Sequence, residues 1–124
     1  MGSEMCIRDR DRALTTRRFG ELAGEVYELS NSEAMEALGK EFRTPGHIPL
    51  CRESPGGLSK RQGHTELAVA IARLSGNIPC TIGAEMLDPD GDGALSLQEA
   101  RKYAEEHGIP MITGNDILES MDMV

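Results

Sequence analysis

The chain has 124 residues, 39% hydrophobic and 27% charged, which is enough for one soluble globular domain with a small core and too short for two independent ones. Two Phe, two Tyr and no Trp leave the core to Leu, Ile, Val, Ala and Met, and offer too few stacking platforms to favour single-stranded nucleic acid as a partner. The formal net charge of −8 sits in the last third, because residues 1–84 carry 11 acidic and 11 basic side chains and residues 85–124 carry 10 and 2; this argues against broad phosphate-backbone binding but leaves room for a local anion site in the balanced part.

In chain order, apolar residues at Leu14, Phe19, Leu22, Ala23, Val26 and Tyr27 recur at the helical period and predict an amphipathic helix over Ala13 to Leu29. A second short helix is expected after Ser32. Thr44 to His64 holds three Pro and four Gly and reads as irregular backbone, with a short strand at Ile48 to Arg52. HTELAVAIARLSG, His64 to Gly76, is the clearest helix, with Thr65 as N-cap, Glu66 in the first turn and Gly76 just past the end. CTIGAEML, from Cys80 to Leu87, suits a buried strand. Ser96 and Glu99 have capping-box spacing for a helix ending near His107 and Gly108. Pro110 to Thr113 reads as another strand, and Asn115 or Asp116 caps a last short helix. This alternation predicts an α/β (α+β) domain, a mixed sheet with flanking helices.

Three cysteines without CxxC spacing, Cys6, Cys51 and Cys80, fit neither a disulfide framework nor a structural zinc site, and a cytoplasmic setting is expected. No run approaches the roughly 18 apolar residues of a membrane span, and the N-terminus has no apolar signal region, so no membrane partner is expected.

Several residue groups are candidates for chemistry. DPDGDGALSLQE, Asp88 to Glu99, matches the spacing of a calcium-binding EF-hand loop, but GNIPCTIGAEML before it is a poor entering helix and no second loop is present. His47, in RTPGH, lies on a loop, and His64, in KRQGHTE, lies at a helix start; a histidine suits proton transfer near neutral pH or metal ligation. Helix N-terminal amides, Arg61 and the Thr65 hydroxyl together would hold an anion of phosphate size. Glu85 stands among apolar neighbours and is paired, exposed at a strand end, or functional with a raised pKa. His107 at a helix end meets the helix dipole and is assigned no chemistry.

The segments DRALT, FRTPGHIPL, SKRQGHTELAVAIARLSG, AEML and GALSLQEARKYAEEHGIP, in this order from about Asp11 to the end, closely resemble the C-terminal part of the 3,4-dihydroxy-2-butanone 4-phosphate synthases of riboflavin biosynthesis, in wording closest to the archaeal type. The resemblance implies a lyase converting D-ribulose 5-phosphate to 3,4-dihydroxy-2-butanone 4-phosphate and formate, with magnesium (or manganese) as cofactor and a homodimer as the complete assembly. It implies His47 and Glu85 as the catalytic pair, Arg61, Gln62, Gly63, His64 and Thr65 as the substrate-binding segment, and His64 as a metal ligand. Thr15 matches a threonine near the substrate.

The chain departs from the family pattern at its start. SEMCIRDR does not look like family sequence and resembles translated sequencing-adapter read-through, so residues 1–10 are expected to be a foreign leader, with 11–124 as the C-terminal part of one synthase domain. The family's acidic N-terminal loop, which completes the metal site, has no counterpart here, and activity of the chain by itself is therefore in doubt. Ala84 stands where family members often have cysteine. Two other readings stay open: a calcium-binding module at 88–99, and a fragment that binds phosphate without catalysis.

Overall fold

The computed structural model describes residues 9–122. Five α-helices and one 3-10 turn follow one another: α1 (Asp9–Glu25), α2 (Asn31–Glu41), the 3-10 turn (Gly57–Ser59), α3 (His64–Leu74), α4 (Leu97–His107) and α5 (Gly114–Ser120). They divide into two units, the first closing at Ile82 and the second running from Gly83. Of the expected leader, residues 1–8 and with them Cys6 lie outside the described residues, while Asp9 and Arg10 open α1.

In the first unit α1 and α2 are joined by two kinds of contact. The ring of Phe19 in α1 meets Phe42, just past α2, edge to face with centroids 5.7 Å apart, the arrangement that aromatic quadrupoles favour. Arg18 grips Glu41 with Nε and Nη2, both at 2.5 Å, and reaches Glu25 on its own helix with Nη1 at 2.7 Å. One planar fork thus serves two carboxylates, a geometry a lysine could not reproduce. These hydrogen bonds hold Arg18 above its ordinary pKa, Glu41 contributing most, and the same contact holds Glu41 below its own. Leu22 lies buried one turn further along α1.

The start of α2 is closed locally. Ser30 Oγ accepts from the Glu33 amide at 3.4 Å, and Glu33 Oε2 accepts from the Ser30 amide at 3.0 Å, a reciprocal capping box that satisfies two otherwise orphaned donors. The helix therefore begins two residues earlier than expected. Ser30→Ala should cost about 1 kcal/mol, seen as a lower urea midpoint with an unchanged m-value.

The second unit repeats these devices. Ser96 Oγ accepts from the Glu99 amide at 3.2 Å to start α4. Its end is set by Gly108, at φ 63° and ψ 32°, the left-handed conformation in which a Cβ is penalised. Gly108→Ala should cost about 1 kcal/mol, checked by the thermal midpoint. Thr113 and Asp116 close a second complete capping box for α5, with Thr113 N to Asp116 Oδ2 at 2.7 Å and Asp116 N to Thr113 Oγ1 at 3.3 Å. The cap is thus Thr113 rather than Asn115 or Asp116, and the Thr113 hydroxyl, then its amide, hold the Asp116 carboxyl below its usual range. Ala104, Ile117 and Leu118 are buried.

The expected mixed sheet is absent: among the described residues no strand forms, and the single β-bridge is Leu87 to Ala94, antiparallel. The segments expected as strands, 48–52, 80–87 and 110–113, are extended or irregular without a ladder. Their composition favours extended backbone, but a strand is completed only by a partner that accepts and donates its ladder bonds. Ile82 is 79% exposed and Leu87, although bridged to Ala94, 69%, the opposite of a buried strand. The architecture is helical with long irregular connections.

Candidate functional site

The segment from Glu53 to Glu66 is built around α3. Gly56 and Gly57 both have positive φ, 93° and 55°, which turns the chain into the 3-10 turn and buries Leu58. That turn packs against α3. The Ser54 carbonyl accepts from Gly57 N at 2.8 Å, and the Gly57 carbonyl accepts from the Lys60 and Arg61 amides at 3.0 and 3.1 Å. Loop backbone donors are thereby satisfied internally, as partly buried backbone requires.

Two polar clamps tie this loop to the helix. At its far end Arg73, in the last turn of α3, grips Glu53 with both terminal nitrogens, Nη1 at 2.9 Å from Oε2 and Nη2 on Oε1. At its near end Glu66, in the first turn, accepts from Ser54 N at 2.9 Å through Oε1 and from Arg61 Nη1 at 2.8 Å through Oε2. Glu66 is 1% exposed, the one buried charged side chain among the described residues. The Ser54 main-chain amide above all, then its own amide, the Ser54 side chain and the Arg61 charge, pull its pKa down to about 2 against the opposing effect of burial. Charge-assisted hydrogen bonds to a carboxylate produce such a depression.

Gly63 leaves room for the Arg61–Glu66 pair. It is the N-cap of α3, at φ −94° and ψ 169°, a conformation open to any residue, but a Cβ there would lie 2.6 Å from Arg61 Nη1 and 2.8 Å from Glu66 Oε2. The helix begins at His64, so Thr65 is its second residue rather than its cap. This places the His64 and Thr65 amides among the donors that a helix leaves unpaired, with the partial positive charge of the helix end behind them. His64 is exposed, Thr65 half-buried, Gln62 exposed, and Arg61 keeps 55% of its side-chain surface in solvent while one nitrogen holds Glu66.

His47 is exposed on the loop after α2, two residues beyond the cis Thr44–Pro45 bond, and Thr15 is half-buried in α1. All these residues belong to the first unit. Glu85 belongs to the second, exposed on irregular backbone. Among the described residues no group of three or more His, Cys, Asp or Glu could hold a metal ion. His64 alone is therefore not a magnesium site, since that ion takes a near-octahedral set of oxygens. Cys51 and Cys80 are free thiols.

The loop from Asp88 to Glu99 is a turn of its own. Asp88 Oδ1 accepts from Asp90 N at 3.0 Å, Asp88 N donates to the Gly93 carbonyl at 2.9 Å, and Leu95 N donates to the Met86 carbonyl at 2.8 Å. An exiting helix is present as α4, but residues 77–86 are not helical, so the two-helix frame of an EF-hand is not formed. His107 is the last residue of α4, its Nδ1 donating to the Tyr103 carbonyl at 2.9 Å and its ring stacked on Tyr103.

Glu66 and Ser54 were not among the expected site residues. The available signal was position: Glu66 lies four residues before Ala70, which is buried, so both share the inward face of α3. An acid in a first turn reads as a solvated helix-dipole partner unless that face is followed.

The first unit thus presents a helix terminus whose leading loop is braced at both ends and carries a guanidinium, an edge suited to an anion. A sequence model described as 3,4-dihydroxy-2-butanone 4-phosphate synthase matches residues 2–120, and the chain belongs to this enzyme family. It is 44% identical over 114 residues to the 3,4-dihydroxy-2-butanone 4-phosphate synthase of Methanosarcina mazei, covering 92% of this chain and 44% of that protein. It is 44% identical over 113 residues to that of Archaeoglobus fulgidus, covering 91% and 46%. A riboflavin biosynthesis protein of Chlamydia muridarum is 37% identical over 82 residues, covering 66% and 19%. The chain spans about half the length of the archaeal relatives it matches. No helix among the described residues is long and apolar enough to cross a membrane.

Proposed function

We propose that this chain supplies the substrate-anchoring edge and the proton-transfer groups of a 3,4-dihydroxy-2-butanone 4-phosphate synthase, a lyase that converts D-ribulose 5-phosphate to 3,4-dihydroxy-2-butanone 4-phosphate and formate. The observation that carries this reading is the family match over residues 2–120, with the RQGHTE segment falling on a braced helix start. In this reading Arg61, Gln62, Gly63, His64 and Thr65 hold the sugar phosphate. The exposed guanidinium nitrogens of Arg61 and the amides of His64 and Thr65 face the phosphate as donors, each such bond being charge-assisted.

The reaction proceeds by enolisation, dehydration, skeletal rearrangement and loss of one carbon as formate, and each step moves a proton or stabilises an oxyanion. His47 and Glu85 are the acid–base pair in this reading, an imidazole that changes charge near neutrality and a carboxylate. A divalent magnesium or manganese ion would supply electrostatic stabilisation of an enediolate when bound. Of the described residues only His64 is assigned to it in this reading, and by itself it does not fit that ion. The complete enzyme is read as a cytoplasmic homodimer acting on a small sugar phosphate.

The test is formate release from ribulose 5-phosphate, with magnesium, by the complete protein containing this stretch. Release of formate in stoichiometric amount with a four-carbon phosphate supports the reading; an intact, folded complete protein that produces neither ends it.

A further inference from the structure

We infer that Glu66 is a positioning residue for the anion edge: its buried carboxylate fixes the Arg61 guanidinium and the Ser54 main chain in front of α3, so that Arg61 meets a phosphate already oriented. This rests on the reading of Arg61 to Thr65 as a phosphate-holding segment. The geometry carries the rest. Glu66 Oε1 accepts from Ser54 N at 2.9 Å and Oε2 from Arg61 Nη1 at 2.8 Å, and the side chain is 1% exposed, so it cannot itself touch a solvent-borne ligand. Arg61, at 55% exposure, is mobile unless held; a long side chain free to sample rotamers loses entropy when it engages a ligand. Gly63 is the residue that lets the pair close, a Cβ there reaching both partners at under 3 Å.

The sign of one measurement separates positioning from plain electrostatics. Glu66 is a negative charge behind an anion site, and removing it should strengthen phosphate binding if only Coulomb attraction matters. Positioning requires the opposite. Titrating this chain with inorganic phosphate, wild type should bind, Arg61→Ala should weaken binding, and Glu66→Gln should also weaken it, by roughly tenfold, although it removes a repulsive charge. Combining the two changes should add nothing beyond Arg61→Ala, because Glu66 acts through Arg61.

Where Glu66→Gln lacks the wild-type far-UV spectrum, Glu66→Asp takes its place, keeping the charge and withdrawing it by one methylene; weakened binding is again expected. Unchanged or tighter phosphate binding in a folded Glu66 variant overturns the inference while leaving the anion site intact. Failure of Arg61→Ala to weaken binding, or no phosphate binding by wild type, overturns the anion-site reading itself and the positioning role with it.

Discussion

Replacing His47 by alanine, or Glu85 by alanine, in the complete protein is expected to lower formate release from ribulose 5-phosphate by about 10²–10⁴-fold, the usual contribution of a positioned acid–base group. Enolisation needs a base to take a carbon-bound proton and a donor to protonate the oxygen, and neither water nor a bulk buffer replaces groups held in register with the substrate. Both residues are exposed, so neither substitution opens a cavity in the core. The loss should fall on kcat, with the far-UV spectrum and the thermal midpoint close to wild type. Full activity in both variants sinks the role assignment. A parallel loss of folded protein would point to structure rather than chemistry.

The second large effect is on stability. Glu66→Ala removes the acceptor of the Ser54 amide and leaves that donor without a partner, a penalty of about 1–3 kcal/mol, which for a unit of this size lowers the thermal midpoint by roughly 5–15 °C. Glu66→Gln keeps an acceptor but removes the charge, and its signature is in the pH dependence. The folded carboxyl titrates at about 2, below its ordinary value of 4.5. The folded state therefore binds the proton less readily than the unfolded one, and the stabilisation is fully present above 4.5 and fades as pH falls toward 2. Urea midpoints of wild type should drop across that window, and those of Glu66→Gln should drop less. Parallel acid profiles for the two proteins would contradict the assignment of the depressed carboxyl to Glu66.

The helices were legible because their signals are local. The 3.6-residue spacing around Leu22, the first-turn acid and trailing glycine of His64 to Gly76, and the Ser96–Glu99 and Gly108 punctuation each act within one or two turns. Helix starts moved where a nearer hydroxyl took the cap, Ser30 rather than Ser32 and Thr113 rather than Asn115 or Asp116; α3 starts after Gly63, without a side-chain cap, rather than after Thr65, and α1 spans Asp9–Glu25, four residues earlier at each end than the expected Ala13 to Leu29. The sheet was misread for the complementary reason. Apolar, β-branched runs such as CTIGAEML state a preference for extended backbone, whereas a ladder depends on distant residues to pair with. The site divided the same way: RQGHTE was readable as a helix-start anion motif, and the face that Glu66 shares with Ala70 pointed inward, but the partners of Glu66 depend on how the loop from Glu53 folds back over α3, which no local pattern encodes.

The two clamps on α3 also set where this family's chain can change length. Glu53 is tied to Arg73, and Ser54 and Arg61 are both tied to Glu66; of these steps the one from Arg61 to Glu66 is only five residues long and runs into the first turn of α3, which begins at His64. An added residue between His64 and Glu66 would rotate the carboxylate about 100° around the helix axis relative to Arg61. An insertion at the exposed tip around Pro55 and Gly56 only lengthens a bulge between points that stay anchored, at a small entropic cost. Length variation among relatives should therefore collect at that tip and outside Glu53 to Arg73, and avoid the stretch from Lys60 to Glu66.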